Sequence, residues 1–381
     1  MNFLLSAGEA SGDTYGAQLA EALRQSSPGS SFFGMGGEKM RAAGCELLVH
    51  ANEVAVVGLV EVVTHLPGIR QRFKRLVAEA ARRKPTAAIL IDFPDFNLRL
   101  ARELHRLGIP VFYFVSPQVW AWRTGRVRQI KEYVRKMIVI FPFEQEFYRR
   151  HGVEVSYVGH PLAYEPPPQI SREEFAEQNF LDPKKQWIAL LPGSRKKELA
   201  FNIERMLEAA GLLKEQDDTL QFVLPVASTL SKSWLLEQLE SRWQSPVPLE
   251  LTDNARVALL HARAAVVASG TATVEAALSG TPFVVVYRLA PLTWLLGRRL
   301  VKLDTFAMPN LIAGQKIVPE LIQKDFTAAK VVGELKAIIP EGAARQKMQA
   351  ALKMVQQRLH DSQDADPPAL RAAREVLASL R

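Results

Sequence analysis

Ser269-Gly270-Thr271-Ala272-Thr273-Val274-Glu275 decides how this 381-residue chain is read. The run before it, Ala264-Ala265-Val266-Val267-Ala268, is short, apolar and β-branched, as a buried parallel strand requires. Val274-Glu275-Ala276-Ala277-Leu278 opens a helix, and Gly280-Thr281-Pro282 stops it. Small residues at a strand-to-helix turn leave backbone N–H groups facing an anion at the positive end of the helix. Glu275, one turn in, is placed to accept hydrogen bonds from the vicinal hydroxyls of a sugar. A nucleotide-sugar diphosphate with its ribose meets both features. The alternative is an ordinary capped helix in which Glu275 complements the dipole.

The same strand, turn and helix recur upstream. Trp187-Ile188-Ala189-Leu190-Leu191 runs into Pro192-Gly193-Ser194-Arg195-Lys196-Lys197-Glu198. Small residues and an arginine at a strand end suit a diphosphate leaving group; a merely basic surface turn is the alternative. Downstream, Met308-Pro309-Asn310-Leu311-Ile312 is a turn whose asparagine is placed to read a ligand.

The N-terminal half repeats the alternation. Residues 2–7 form a strand, then Gly8-Glu9-Ala10-Ser11-Gly12-Asp13 leads into a helix through Leu23. The loop lacks the Lys-Ser/Thr end of a P-loop and the GxGxxG spacing of a dinucleotide site. Either Ser11 or Asp13 caps the helix, or Gly8 and Gly12 admit a ligand while Glu9 or Ser11 binds its hydroxyls. Thr86-Ala87-Ala88-Ile89-Leu90-Ile91 is a buried strand ending at Asp92-Phe93-Pro94-Asp95-Phe96-Asn97. Ligands of open parallel sheets sit beyond the carboxyl ends of the strands, which favours Asp92 for chemistry. Phe93 and Phe96 would partly desolvate it and raise its proton affinity, as a general base needs. The alternative is that Asp92 or Asp95 caps a helix expected to begin near Leu98. The next strand, Val111–Val115, ends in Ser116-Pro117-Gln118-Val119-Trp120-Ala121-Trp122-Arg123 and a basic helix. Two tryptophans there suit an anionic amphiphile or stacking on a base, or else form a core aromatic pair.

Pro166-Pro167-Pro168 is the best boundary in the chain. It separates an N-terminal domain, 1–165, from a second α/β domain, 166–340, followed by a helical tail, 341–381, broken at 361–368. Two successive Rossmann-like halves imply a cleft between them. Segments 54–76 and 289–302 combine apolar residues with clusters of Arg and Lys. That composition suits a helix lying at a lipid interface; a core helix with a solvated basic face is the alternative.

Composition narrows the classes. Hydrophobic residues are 48% and charged residues 23%, as in a soluble globular protein. A net charge of +8 points to an anionic partner, yet no zinc-ligand spacing, RNP-like strand or helix-turn-helix signature favours nucleic acid. The lone Cys45 has no intrachain partner and suits a reducing compartment. No run approaches the roughly 20 apolar residues of a membrane span, and residues 1–9 lack the pattern of a signal peptide. A cytoplasmic location is expected.

Six stretches together resemble the lipid A disaccharide synthase family: Gly8–Asp13, Asp92–Asn97, Ser116–Arg123, Leu191–Arg195, Ser269–Glu275, and Leu303-Asp304 through Pro309-Asn310-Leu311. They fall in the family's order and cover the chain to about residue 325. The resemblance implies an α/β GT-B fold, two Rossmann-like domains facing across a cleft, with C-terminal helices packing back on the N-terminal domain. It implies an inverting glycosyltransferase of outer-membrane lipid synthesis in Gram-negative bacteria. UDP-2,3-diacylglucosamine and 2,3-diacylglucosamine 1-phosphate (lipid X) would give a β(1→6) disaccharide 1-phosphate and UDP, with no cofactor and no catalytic metal. By motif, Asp92 would be the general base and Arg195 would stabilise the departing diphosphate. Ser194, Gly270, Thr271 and Ala272 would assist; Glu275 would hold the ribose; Asn310 would contact the nucleotide; Glu9 and Ser11 would line the acceptor side. The resemblance also implies a peripheral protein at the cytoplasmic face of the inner membrane, able to form a homodimer by C-terminal exchange. Two other readings stand beside it: another GT-B UDP-sugar enzyme such as a UDP-N-acetylglucosamine 2-epimerase, and a non-enzymatic basic lipid-surface protein.

Overall fold

Runs that are apolar at every position become strands covered on both faces, as in parallel sheets. Residues Phe3–Ala7 and Ala87–Ile91 are buried without interruption. The computed structural model describes residues 1–54, 59–122, 125–243, 245–289, 305–360 and 365–380. These divide into two units: Met1–Tyr164 with Leu359–Arg381, and Glu165–Arg358.

The first unit holds β1 (Asn2–Ala7), β2 (Ser31–Gly36), β3 (Cys45–His50), β4 (Ala87–Ile91), β5 (Val111–Phe114), β6 (Lys136–Val139) and β7 (Val155–Tyr157). All pairings are parallel, in the order β3-β2-β1-β4-β5-β6-β7. Among its helices are α1 (Ala10–Ser26), α2 (Glu38–Ala42), α3 (Leu59–Arg83), α4 (Pro94–Arg106) and α5 (Pro142–Arg150). Helix α4 begins at Pro94, four residues before the expected start at Leu98, because proline's fixed φ suits the first helical position.

The second unit holds β8 (Gln186–Leu191), β9 (Leu220–Pro225), β10 (Leu249–Thr252), β11 (Ala264–Ala268), β12 (Phe283–Tyr287) and β13 (Glu320–Ile322). They are again parallel, in the order β10-β9-β8-β11-β12-β13. Helices α6 (Lys196–Lys214), α7 (Thr271–Ser279), α8 (Met308–Ala313) and α9 (Ala343–Leu359) belong here. Gln356 near the end of α9 donates to the carbonyls of Ala277 and Leu278 at 2.9 and 3.0 Å, tying α9 to α7.

The chain then returns to the first unit. The last helix, α10 (Pro368–Leu380), packs on α1 and buries Ala372, Ala373 and Val376. Its Glu375 takes the Lys136 ammonium at 2.6 Å and the Ser156 hydroxyl at 2.9 Å. The segment 341–381 is therefore shared: α9 lies with the second sheet, α10 with the first.

Within 54–76, the described side chains answer part of the lipid question. Ile69, Phe73, Leu76 and Ala80 recur at helical spacing and pack on the first unit's own core, where Leu76 is fully buried. That stretch is a core helix with a solvated basic face. Residues 55–58, the side chains of 59–66, residues 290–304 and the break at 361–364 lie outside the described structure. Among the described residues no helix is long and apolar enough to cross a membrane.

Candidate functional site

In each sheet the strand order reverses at one place, and ligands of open α/β sheets bind beyond the carboxyl ends of the strands flanking it. In the first unit those strands are β1 and β4. Gly8-Glu9 leaves β1 and Asp92-Phe93 leaves β4, so two motifs 84 residues apart share one end of the sheet. They touch: a Cβ at Gly8 would lie 2.3 Å from the Phe93 ring, so only glycine leaves room for it. Glu9 is the exposed N-cap residue of α1 and makes no side-chain cap; Ser11 is exposed beside it. Asp13 does cap a helix, but not its own. Its buried carboxylate accepts the amides of Gly37, Lys39 and Met40 at 2.6, 3.0 and 3.1 Å, at the start of α2.

Asp92 and Phe93 both have left-handed backbones, φ 45° and 51°. Each such non-glycine residue costs on the order of 1–3 kcal/mol and persists only where its surroundings enforce it. The pair turns the chain sharply from β4 into α4, with Asp92 half-buried at the corner. The Phe93 and Phe96 rings that follow it lie with centroids 5.8 Å apart, and Phe73 meets Phe96 edge-on at 5.3 Å. The Asp92 carbonyl accepts from Asn97 Nδ2 at 2.8 Å and from the Tyr113 hydroxyl at 2.6 Å. Phe93, not Asp92 or Asp95, is the N-cap residue of α4; Asp95 is exposed and pairs with Arg126.

Beside this corner, β5 gives way to Val115, a β-branched residue also held left-handed at φ 62°. Ser116 beyond it shares a hydrogen bond with the Tyr148 hydroxyl at 2.8 Å. The Trp120 indole N–H donates to Glu144 Oε1 at 3.1 Å, and its ring meets Phe143 edge-on at 4.9 Å. Glu144, on α5, is 1% exposed. Burial pushes its carboxyl up to about 8, and the Asp92 charge adds to the rise. Trp120 is thus a partly exposed ring pinned at one edge. The Trp122 side chain and Arg123 lie outside the described residues.

In the second unit β8 and β11 flank the reversal. Ser194 and Arg195, both exposed, leave β8, with Arg195 as the N-cap residue of α6. The Ser194 amide is already engaged by Glu198 Oε2 at 3.1 Å. Burial raises the Glu198 carboxyl while the Ser194 amide and the Arg195 charge pull it back. Gly193, at φ 125°, leaves room for it, since a Cβ there would lie 2.5 Å from Glu198 Cγ.

The other turn is open. Gly270 has φ 151°, and among the described residues no atom lies within 4 Å of where its Cβ would be and α7 has no side-chain cap. Thr271 and Ala272 are the first two helical residues, whose amides have no intrahelical acceptor. Glu275 sits one turn in, half-buried. Burial raises its carboxyl, the Arg256 charge opposes the rise, and Glu165, which pairs with Arg256 at 2.6 Å, adds to it. Among the described residues no hydrogen bond reaches that carboxylate.

Asn310 differs from expectation. Its side chain is fully buried. It donates to Val318 O and Glu320 Oε1 at 3.0 and 2.7 Å and accepts from the amides of Ile317 and Val318 at 2.7 and 3.0 Å. All four of its hydrogen-bonding positions are filled, so the side chain has none left for a nucleotide. Glu320 also accepts from Thr305 Oγ1 and from the amides of Phe306 and Ala307, organising the loop before α8.

Each unit thus collects its own half of the expected residues. Glu9, Ser11 and Asp92 gather at the β1/β4 end; Ser194, Arg195, Gly270, Thr271, Ala272 and Glu275 gather at the β8/β11 end. Asn97, Tyr113, Glu144, Glu198 and Glu320 were not singled out by sequence. Among the described residues no His, Cys, Asp and Glu group is arranged to hold a metal ion.

Comparison with known proteins gives the family and the fold. The family described as Lipid-A-disaccharide synthetase matches residues 3–373. The chain is 53% identical over 379 residues to a lipid-A-disaccharide synthase of Koribacter versatilis, covering 99% of this chain and 98% of that one. It is 43% identical to the Myxococcus xanthus protein of that name, covering 99% and 97%. Among solved structures, a putative UDP-N-acetylglucosamine 2-epimerase from Listeria monocytogenes has TM-score 0.63 at 11% identity, covering 100% of this chain and 95% of that one. The calicheamicin glycosyltransferase CalG4 has TM-score 0.62 at 16% identity, covering 100% and 98%. At such identities these two speak to the fold alone.

Proposed function

This chain belongs to the lipid-A-disaccharide synthase family, and from that premise we propose how its residues divide the work of making the disaccharide. It is a glycosyltransferase of lipid A biosynthesis with the GT-B fold. UDP-2,3-diacylglucosamine is the donor, 2,3-diacylglucosamine 1-phosphate the acceptor, and the second unit holds the donor. The diphosphate lies against the uncapped start of α7, where the Thr271 and Ala272 amides and the helix dipole meet negative charge. Arg195 adds a guanidinium, and the Ser194 hydroxyl is at hand. Glu275 accepts from the ribose hydroxyls with a carboxylate that no donor among the described residues engages. Asn310 acts indirectly by holding its loop.

Asp92 accepts the proton of the acceptor 6-hydroxyl as that oxygen attacks C1 of the donor. The C1–O bond to the diphosphate breaks, its electron pair leaves on the phosphate oxygen, and configuration at C1 inverts. Arg195 and the α7 amides stabilise that developing charge, a kind of contribution worth about 10²–10³ in rate per donor. Glu9 and Ser11 meet the acceptor beside Asp92. The acyl chains of both substrates put the reaction at the cytoplasmic face of the inner membrane. There the apolar residues within 55–66, next to the basic face of 70–75, and the apolar, basic residues within 289–302 would meet the lipid.

The observation that carries this reading is that four of the six motifs leave the carboxyl ends of the strands flanking the reversals of strand order, with a carboxylate in one unit and an open helix start in the other. A 2-epimerase would need no acylated donor and no acceptor. The test is UDP release from the acylated donor with and without the lipid monophosphate. Release should require both lipids, and Asp92→Ala should lose about 10²–10⁴ of the rate with UDP affinity unchanged. Wild-type turnover in Asp92→Ala would remove Asp92 from the mechanism.

A further inference from the structure

Two buried side chains converge on the backbone of Asp92, and we propose that Tyr113 and Asn97 are positioning residues that hold its carboxylate in line with the acceptor hydroxyl. The inference rests on Asp92 being the general base.

The chain leaves β4 through two successive left-handed residues, Asp92 and Phe93. Aspartate visits that region singly and phenylalanine rarely, so an unrestrained turn would relax and swing the Asp92 side chain elsewhere. The direction of the Asp92 carbonyl sets the plane of the 92–93 peptide. Asn97 Nδ2 reaches that oxygen from α4 at 2.8 Å and the Tyr113 hydroxyl reaches it from β5 at 2.6 Å. Two donors from different elements leave the peptide plane little freedom.

Neither donor is there by default. Tyr113 is fully buried, between Phe112 and Phe114 on its strand, and a phenylalanine would fill its place without a hydroxyl to satisfy. Among the described residues the one hydrogen bond that hydroxyl donates goes to Asp92. Burial holds the phenol far above its ordinary pKa, which keeps it a donor. Asn97 is equally buried, and its amide is oriented by Ser6, whose hydroxyl donates to Asn97 Oδ1 at 2.7 Å. The amide nitrogen also reaches the carbonyls of Ser6 and Ile91, both at 3.2 Å. The arrangement parallels the strand-to-helix elbow that presents a nucleophile in other α/β enzymes, here presenting a base.

Tyr113→Phe tests this in the full-length enzyme. With one donor gone, kcat should fall about tenfold while KM for each lipid and the Kd for UDP stay within about twofold. Ser6→Ala, which frees the Asn97 amide to rotate, should lower kcat less. The double variant should lose more than the product of the two, because each single variant leaves one donor on the carbonyl. Wild-type kcat in Tyr113→Phe with a lowered Tm, or strictly multiplicative losses, would reduce the pair to structural packing. If Tyr113→Phe does not fold, unchanged kcat in Ser6→Ala overturns the proposal. Asp92→Ala in parallel separates the premises: an active Asp92→Ala overturns base and positioning together, whereas an inactive one beside a fully active Tyr113→Phe overturns positioning alone.

Discussion

Glu144 shows at one residue how burial and charge compete. Its carboxyl is pushed up to about 8 from an ordinary value of 4.5, chiefly by desolvation, with the Asp92 charge at the end of β4 adding to it. The Trp120 indole and the Phe141 amide donate to it and, with the nearby Ser116 hydroxyl, pull the other way; that hydroxyl also shares a hydrogen bond with Tyr148. The folded protein therefore holds a proton that the unfolded chain has released between pH 4.5 and about 8. Where the unfolded state binds fewer protons, stability falls as pH rises. Glu144→Gln cannot ionise, so its Tm relative to wild type should climb across that window, by about 2–4 kcal/mol in stability from end to end. Loss of the 3.3 Å bond from the Phe141 amide adds a constant offset and no slope. A Tm difference flat with pH would show that Glu144 is ionised throughout. Asp92 was legible as a residue because a polar side chain at the end of an apolar run is visible in one dimension. Glu144, Asn97 and Tyr113 were not: each sits in an amphipathic helix or a strand where its neighbours in sequence say nothing of the carbonyl or indole it meets.

At the scale of elements, the two helix starts of the second unit look alike in sequence and differ in space. Both follow a strand and a glycine-containing turn, yet among the described residues α6 is served by Glu198 and α7 has no side-chain cap. That contrast is why the diphosphate is proposed to lie against α7. The loop before α8 makes the converse point. Asn310 looked like a reader of ligand and is instead locked beneath the loop with Glu320, whose carboxylate gathers Thr305, Phe306, Ala307 and Asn310. Glu320→Ala leaves several of these donors without a partner and should cost about 2–4 kcal/mol of stability. Denaturant titration measures it. A loss below about 0.5 kcal/mol would mean that water serves the loop equally well. Partners ten to fifteen residues apart, on a loop, a short helix and an edge strand, leave no periodic trace, so sequence could not separate a ligand contact from an internal one.

For the whole molecule, the net charge of +8 is the property that bears on where it works. If it meets an anionic bilayer, vesicles containing anionic lipid should bind it at low salt. Raising salt from about 0.05 M to about 0.5 M should weaken binding roughly tenfold or more, as screening shortens the reach of each surface charge. Neutral vesicles binding equally well would place the attraction in apolar contacts alone. The alternation of apolar runs with turns and amphipathic helices was enough to read two parallel-sheet α/β halves and the strand ends that carry their motifs, because burial on both faces and helical spacing are written locally. Tertiary structure alone decided which strand ends stand side by side, which chain segment completes the first unit, and which polar groups are spent on the protein itself. Strand order and hydrogen-bond saturation depend on residues far apart in the chain, and no local pattern encodes them.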